Sequence, residues 1–118
     1  MGITFVEITV RSSPGAEPLQ QIECLVDTGA HLTVLPAATL SALGIQPERV
    51  EDFFLADGSK IQRKVGNIYV VYEGRAAFTQ AVFGEPDDAP LLGMLTIEEL
   101  HFWIDPLKRK LHPLKLRM

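Results

Sequence analysis

The chain has 118 residues and a formal net charge of −4, which favour a single domain spanning 1–118 and give no electrostatic reason to bind nucleic acid. Hydrophobic residues make up 47% of it, enough for a globular core. The single cysteine, Cys24, excludes an intrachain disulfide and favours a reducing compartment. The opening MGITFVEITV lacks signal-peptide features, and no apolar run is long enough for a membrane span. We therefore expect a cytoplasmic protein with no membrane partner.

The first third of the chain alternates apolar segments with turn residues. The turn residues Ser12-Ser13-Pro14-Gly15 predict that the first two segments form a hairpin. Proline at the start of a later segment and Gly44 at its end predict a short helix. In chain order, the predicted elements are strands over 3–10, 19–26 and 31–35 and a helix over 36–43.

The remainder of the chain also reads mainly as strands. Asp57-Gly58 predicts a hairpin turn, Gly66-Asn67 a bend, and Thr96 the cap of a second short helix, with Glu98-Glu99 in its first turn. A mainly β chain with two short helices and many turns is typical of a closed β-barrel. The predicted elements are strands over 50–56, 61–65, 68–72 and 76–83, a helix over 96–100, and a terminal hairpin from 102–104 and 110–116.

The segment CLVDTGAHLTVL, residues 24–35, places a charge in the middle of apolar sequence. A carboxylate is costly to bury unless other groups hold it. Thr28 offers a hydroxyl group, and Gly29 allows a sharp turn and a close approach of the backbone. These residues could therefore present Asp27 from a rigid loop. An ordinary β-turn is the alternative, since Asp and Gly are common there.

In its context this segment strongly resembles the active-site segment of the retropepsin-like (retroviral-type) aspartic proteases. PLLGML, residues 90–95, resembles the apolar pair and glycine that precede the family's C-terminal helix. FLADGSKI, residues 54–61, resembles the flap hairpin that covers the substrate. FWIDPLKRKLHP, residues 102–113, resembles the closing hairpin of small bacterial members. The order and rough spacing of these pieces match over nearly the whole chain.

The resemblance implies an aspartic endopeptidase that needs no cofactor. Peptide hydrolysis by this route uses two carboxylates that share one proton, one acting as base on a water molecule. The chain contains one Asp-Thr-Gly sequence, so Asp27 would be paired with Asp27 of a second copy in a homodimer acting on a peptide or protein substrate. The other implied site residues are the loop residues Thr28, Gly29 and Ala30, the flap residues Ala56, Asp57, Gly58 and Ser59, and the supporting residues Leu92 and Gly93.

Some residues depart from the viral pattern. His31 and Leu32 follow the Asp-Thr-Gly-Ala segment, where viral members usually have acidic residues. Met94 and Leu95 stand where those members usually have Arg-Asn. An acid and its basic partner are thus replaced together, which predicts an apolar contact. Apolar side chains at 34–35, 54–55 and 82–83 are candidates for substrate pockets.

The sequence also allows a function other than catalysis, and the roles of the histidines and of Cys24 have to be considered. A protease-fold module that binds peptides or proteins without cleaving them would use the same fold. The three histidines lack the spacing of metal ligands, so we expect no metal site. His31 could still tune the pH dependence of the neighbouring loop. Cys24 is expected to be a packed small hydrophobe and not a nucleophile.

Overall fold

The computed structural model describes residues 3–118, and it is mainly β, as predicted. Met1 and Gly2, the first residues of the segment judged to lack a signal peptide, lie outside this range. The strands are β1 (Phe5–Arg11), β2 (Gln20–Val26), β3 (Thr33–Pro36), β4 (Pro47–Phe54), β5 (Lys60–Tyr72), β6 (Arg75–Gly84), β7 (Leu91–Leu92), β8 (Phe102–Asp105) and β9 (Lys110–Pro113). The helices are α1 (Ala37–Ala42) and α2 (Met94–Glu99).

Seven of the strands form one sheet in the order β1-β2-β7-β3-β6-β5-β4. An additional pairing between β1 and β5 joins the sheet to itself, so that six strands form a closed ring. The seventh strand, β4, pairs with β5 on the outside of this ring. Strands β8 and β9 form a separate two-stranded sheet, the predicted terminal hairpin.

The core lies inside the ring, where alternate residues of each strand point inward. In β1 the exposed and buried positions alternate without irregularity, and Val6, Ile8 and Val10 are the buried ones. α1 contributes Leu40 to this core and α2 contributes Ile97, both fully buried. Burial of these apolar side chains supplies the main driving force for the fold.

The predicted bend at Gly66-Asn67 is wrong, because β5 runs without interruption through both residues. Gly66 is required there for a different reason. A Cβ atom on Gly66 would lie 2.7 Å from the carbonyl oxygen of Gln46 and 3.0 Å from the ring of Phe83. The glycine therefore permits a close backbone approach within a strand.

The second helix also differs from its prediction. It begins at Met94, two residues before Thr96, with Gly93 at the N-cap position. Glu98 and Glu99 consequently lie in its last turn and not in its first. Thr96 is fully buried and bonds to other side chains, so it does not cap the helix. A capping threonine and a buried, hydrogen-bonded threonine have the same signature in a sequence.

The terminal hairpin ends earlier than predicted. β9 stops at Pro113, and the backbone N–H of Leu114 then donates to the carbonyl oxygen of His101 at 2.8 Å. Within residues 3–118, neither helix has the length or apolar character needed to cross a membrane.

Candidate active site

The Asp27 loop follows β2 and is fixed by backbone hydrogen bonds. The N–H of Asp27 donates to the carbonyl oxygen of Leu92 at 3.0 Å, which continues the parallel pairing of β2 with β7. The N–H of Ala30 donates to the carbonyl oxygen of Asp27 at 3.2 Å and closes the turn. The N–H of Gly29 donates to Asp27 Oδ1 at 2.9 Å and orients the carboxylate. Asp27 is half-buried, and these hydrogen bonds satisfy polar groups that would otherwise be costly to remove from water.

The start of α2 lies directly behind this loop. The N–H groups of Met94 and Leu95 donate to the carbonyl oxygens of Ala30 and His31 at 2.8 and 3.0 Å. A Cβ atom on Gly93 would lie 2.5 Å from the carbonyl oxygen of Leu32. Only a glycine lets the two segments come this close.

Three buried threonines connect α2 to β3 and β6. The N–H of Gly93 donates to Thr33 Oγ1 at 3.0 Å. The hydroxyl oxygens of Thr33 and Thr96 are 2.6 Å apart, and those of Thr79 and Thr96 are 3.1 Å apart. We call Thr33, Thr79 and Thr96 the threonine triad. It satisfies buried polar groups and holds Gly93 behind the Asp27 loop.

A long hairpin formed by β4 and β5 carries the predicted flap residues at its tip. The N–H of Gly58 donates to the carbonyl oxygen of Leu55, and the N–H of Leu55 to that of Ser59, each at 2.9 Å. Gly58 has a φ of +85°, a left-handed conformation that glycine adopts without strain in the turn between β4 and β5. Asp57 Oδ1 accepts bonds from the hydroxyl and N–H of Ser59, which lower the pKa of Asp57.

A groove of about 610 Å³ lies between the Asp27 loop and this hairpin. One wall contains the loop and β3, and the other contains Phe53, Phe54 and Leu55 of the hairpin. Most of the lining is apolar, so an occupant with apolar side chains fits it. The lining residues are Asp27, Gly29, Ala30, His31, Leu32, Val34, Phe53, Phe54, Leu55, Ala56, Ile61, Arg63, Val82, Asp87, Asp88, Ala89 and Leu91.

A charged cluster that includes Arg63 and Asp88 lines part of this groove. Arg63 Nε donates to Asp88 Oδ2 at 2.9 Å, and the Arg63 guanidinium also pairs with Glu85 at 3.2 Å. The hydrogen bond from Arg63 holds the pKa of Asp88 below its usual range. The same bond raises the pKa of Arg63. Both side chains therefore stay charged at neutral pH.

The structure places four of the ten predicted site residues in the lining of the groove. Asp27, Gly29, Ala30 and Ala56 line it, while Leu92 and Gly93 are buried behind the Asp27 loop. The predicted residues outside the lining are Thr28, Asp57, Gly58 and Ser59, all of them exposed.

Strand alternation separates the members of two of the three predicted pocket pairs. Val34 and Val82 line the groove, but their neighbours Leu35 and Phe83 point into the core, so those two predictions are wrong. Phe54 and Leu55 both line it, and Leu55 lies just beyond the end of β4.

Sequence reasoning missed Arg63, Asp87 and Asp88 as groove residues. It also missed Phe53 and Ile61, which are directly opposite each other in the hairpin. Had β5 been read as one strand, its alternation would have placed Ile61, Arg63 and Val65 on the same face. The pairing of Arg63 with Asp88 has no comparable local signal.

The predicted apolar replacement of an ion pair is found next to the loop. Leu32, Val65 and Val82 form a small buried cluster, and Leu95 packs against it. Cys24 is fully buried in the main core, as expected. Burial, with a smaller contribution from the charge of Glu23, raises the pKa of Cys24 to about 12, so the thiol is unreactive. No group of three or more His, Cys, Asp or Glu residues in 3–118 is arranged to hold a metal ion.

Solved structures of viral proteases share this architecture. EIAV protease complexed with the inhibitor HBY-793 has a TM-score of 0.58 at 17% sequence identity, covering 81% of this chain and 86% of its own. The simian foamy virus (mac) protease has a TM-score of 0.57 at 20% identity, covering 80% and 92%. A retropepsin-like aspartic protease from Rickettsia conorii has a TM-score of 0.44 at 22% identity, covering 89% and 94%. No family model and no curated protein matches the sequence.

These likenesses define the class of fold. The chain has the retropepsin-like fold of the retroviral proteases, as its sequence predicted. The assignment depends on the two viral enzymes, because a TM-score of 0.44 is too low to contribute. At 17% and 20% identity the likeness establishes the fold, and the activity has to be argued from the site.

Proposed function

We propose that this chain is an aspartic endopeptidase that is active as a homodimer. The observation that carries the proposal is the Asp27 carboxylate, oriented by the N–H of Gly29 at 2.9 Å and placed on the margin of an apolar groove. Such a groove suits an extended peptide segment with largely apolar side chains. The hairpin over the groove is proposed to act as a flap that excludes water.

A second copy of the chain is proposed to supply the second carboxylate. The chemistry needs one ionised and one protonated carboxyl group. Asp88 also lines the groove, but its pairing with Arg63 holds its pKa low and keeps it ionised. Its oxygens already accept bonds from Arg63 and from the N–H of Glu85, so it is poorly suited to share a proton with Asp27. Asp27 of a symmetric copy provides an equivalent group without this restriction.

The remaining site residues are given supporting roles. Thr28, exposed beside Asp27, would bond across the two-fold axis and hold the two loops in register. Gly29 would let the substrate backbone pass close to the carboxylates. Ala56, Asp57, Gly58 and Ser59 would form the flap tip. Gly93 and Leu92 would support the loop from behind. We place the enzyme in the cytoplasm, where a lone buried thiol is typical.

Cleavage of a diverse peptide library, read by mass spectrometry from acidic to neutral pH, tests the proposal. The wild type is compared with Asp27→Asn, and with Glu23→Gln as a control that removes an exposed carboxylate from β2, the strand that leads into the Asp27 loop. We expect cuts by the wild type and Glu23→Gln that Asp27→Asn does not make. Equal cleavage by Asp27→Asn would show that the mechanism is wrong.

Mixing the wild type with Asp27→Asn tests the dimer. A mixed dimer has one catalytic carboxylate, so an excess of the variant should lower the wild-type rate in proportion to the homodimer lost. A wild-type cleavage rate that does not change when the variant is added would contradict a site shared between two copies. If a folded wild-type dimer makes no specific cut, the alternative of a non-cleaving binding module is favoured.

A further inference from the structure

The hairpin of β4 and β5 extends beyond the closed ring of strands. From Val50↔Lys64 to Phe54↔Lys60, the two strands are paired with each other. Pairing of β5 with β6 begins only at Val65. We call residues 50–64 the distal hairpin. Within residues 3–118 no third strand pairs with it, so its position over the groove depends on the course of β5 and on side-chain contacts.

Few side chains of the distal hairpin reach the body of the protein. Phe53 packs against the cluster of Leu32, Val65 and Val82. Among the hydrogen bonds and ion pairs of residues 3–118, Arg63 alone connects the distal hairpin to another element. The other polar side-chain contacts of this segment, such as Lys60 with Asp52 at 3.8 Å, stay within the β4–β5 hairpin.

Arg63 forms a geometrically favourable pair with Asp88. Its Nε donates to Asp88 Oδ2 at 2.9 Å, a second guanidinium nitrogen lies 3.4 Å from Asp88 Oδ1, and a third contact reaches Glu85 at 3.2 Å. The side chain of Arg63 is 16% exposed and that of Asp88 is 27% exposed. Two-pronged, partly buried pairs of this kind are stronger than ordinary surface ion pairs. We call Arg63, Asp88 and Glu85 the clasp.

The acidic side of the clasp is already fixed within its own loop. Asp88 Oδ2 accepts the N–H of Glu85 at 2.8 Å, and the N–H of Asp88 donates to the carbonyl oxygen of Glu85 at 2.8 Å. This loop leads directly to Pro90, whose carbonyl oxygen accepts the N–H of Leu25 at 3.1 Å. The clasp therefore attaches the distal hairpin to the segment that borders the Asp27 loop.

We propose that the clasp sets how far the distal hairpin stands open over Asp27 and so controls peptide entry and release. The inference depends on the proposed proteolytic function, because it gives the hairpin a substrate to admit. Arg63 and Asp88 are positioning residues, acting through the hairpin and not on the scissile bond. Opening the hairpin requires separating the guanidinium from its carboxylates while Phe53 leaves its cluster.

Hydrogen exchange of the full chain, read by mass spectrometry, tests the hairpin without requiring catalysis. Arg63→Gln and Asp88→Asn should each speed exchange of the amides in 52–62 about five- to tenfold, while those in β2 are unchanged and report an intact fold. Adding Asp88→Asn to Arg63→Gln should have little further effect, since Arg63→Gln already breaks the pairing with Asp88. Lys60→Gln is the matched control, removing an exposed cation from the same strand.

The kinetics of peptide cleavage provide a second test. Arg63→Gln should change KM by at least about threefold with a smaller change in kcat, while Arg63→Lys, which keeps one charged contact, lies between it and the wild type. Unchanged exchange, unchanged KM, or an equal effect of Lys60→Gln would overturn the inference. If exchange responds but the wild type cleaves nothing, the clasp remains as a tie on the hairpin and the proposed function fails.

Discussion

Replacing Thr33 with valine tests whether the threonine triad stabilises the site. Thr33 is fully buried, and Val has nearly the same shape, so the change removes the hydroxyl group without opening a large cavity. The buried N–H of Gly93 loses its acceptor at 3.0 Å, which costs about 1–3 kcal/mol. Loss of the 2.6 Å contact with Thr96 costs about 1 kcal/mol more, although Thr96 keeps Thr79.

The free energy of unfolding should therefore fall by about 3 kcal/mol, and Tm by about 10 °C for a domain of this size. Chemical denaturation and calorimetry measure the two quantities. Thr33→Ser retains the oxygen and should lose only about 1 kcal/mol with the methyl group. Thr9→Val, at a half-exposed position of β1, should change stability by less than about 0.5 kcal/mol. If Thr33→Val is no less stable than Thr33→Ser, the triad does not have the stabilising role argued for it.

Three further predictions concern the clasp, the hairpin tip and the core. Because Arg63 lowers the pKa of Asp88, the carboxylate stabilises the fold above its unfolded pKa and the effect is lost as pH falls through the lower folded pKa. Asp88→Asn should thus lower the free energy of unfolding by about 1–2 kcal/mol at pH 7 and by progressively less below about pH 4. Urea titrations at each pH measure this difference, and a difference that does not change with pH would contradict the prediction. Gly58→Ala forces a residue with a side chain into φ +85° and should destabilise the hairpin by about 1 kcal/mol, raising amide exchange in 54–60 but not in β6. Cys24, fully buried and with a pKa raised to about 12, should resist alkylation at pH 8 until the protein is unfolded, and rapid labelling of native protein would show that the core opens locally.

Much of the fold and the Asp27 loop follows from local sequence. Asp-Thr-Gly between apolar strands and Asp-Gly in a hairpin are short signals whose structural result depends on neighbouring residues. The Gly29 N–H to Asp27 bond and the positive φ of Gly58 are local in this sense. The fold itself was predictable because several such signals occur in the order that one architecture requires.

The wrong or missing predictions concern residues whose conformation or contacts are determined by tertiary structure. Gly66 has the local character of a bend, but the close passage of Gln46 makes it a strand residue. Thr96 has the local character of a cap, but partners on β3 and β6 draw it into the interior. Arg63 and Asp88 are 25 residues apart, and nothing near either one indicates the other. Such contacts depend on how the strands are placed in space.

The uninterrupted course of β5 has a mechanical consequence. The strand carries one face of the groove at its first residues and forms part of the closed ring at its last ones. A hydrogen-bonded hairpin built on such a strand is held by the ring only at its base. Its pivot lies near Val65 and Gly66, where the pairing with β6 starts and the backbone of Gln46 crosses. A substitution at this distant pivot can therefore alter how a groove residue such as Leu55 moves, without touching the groove itself.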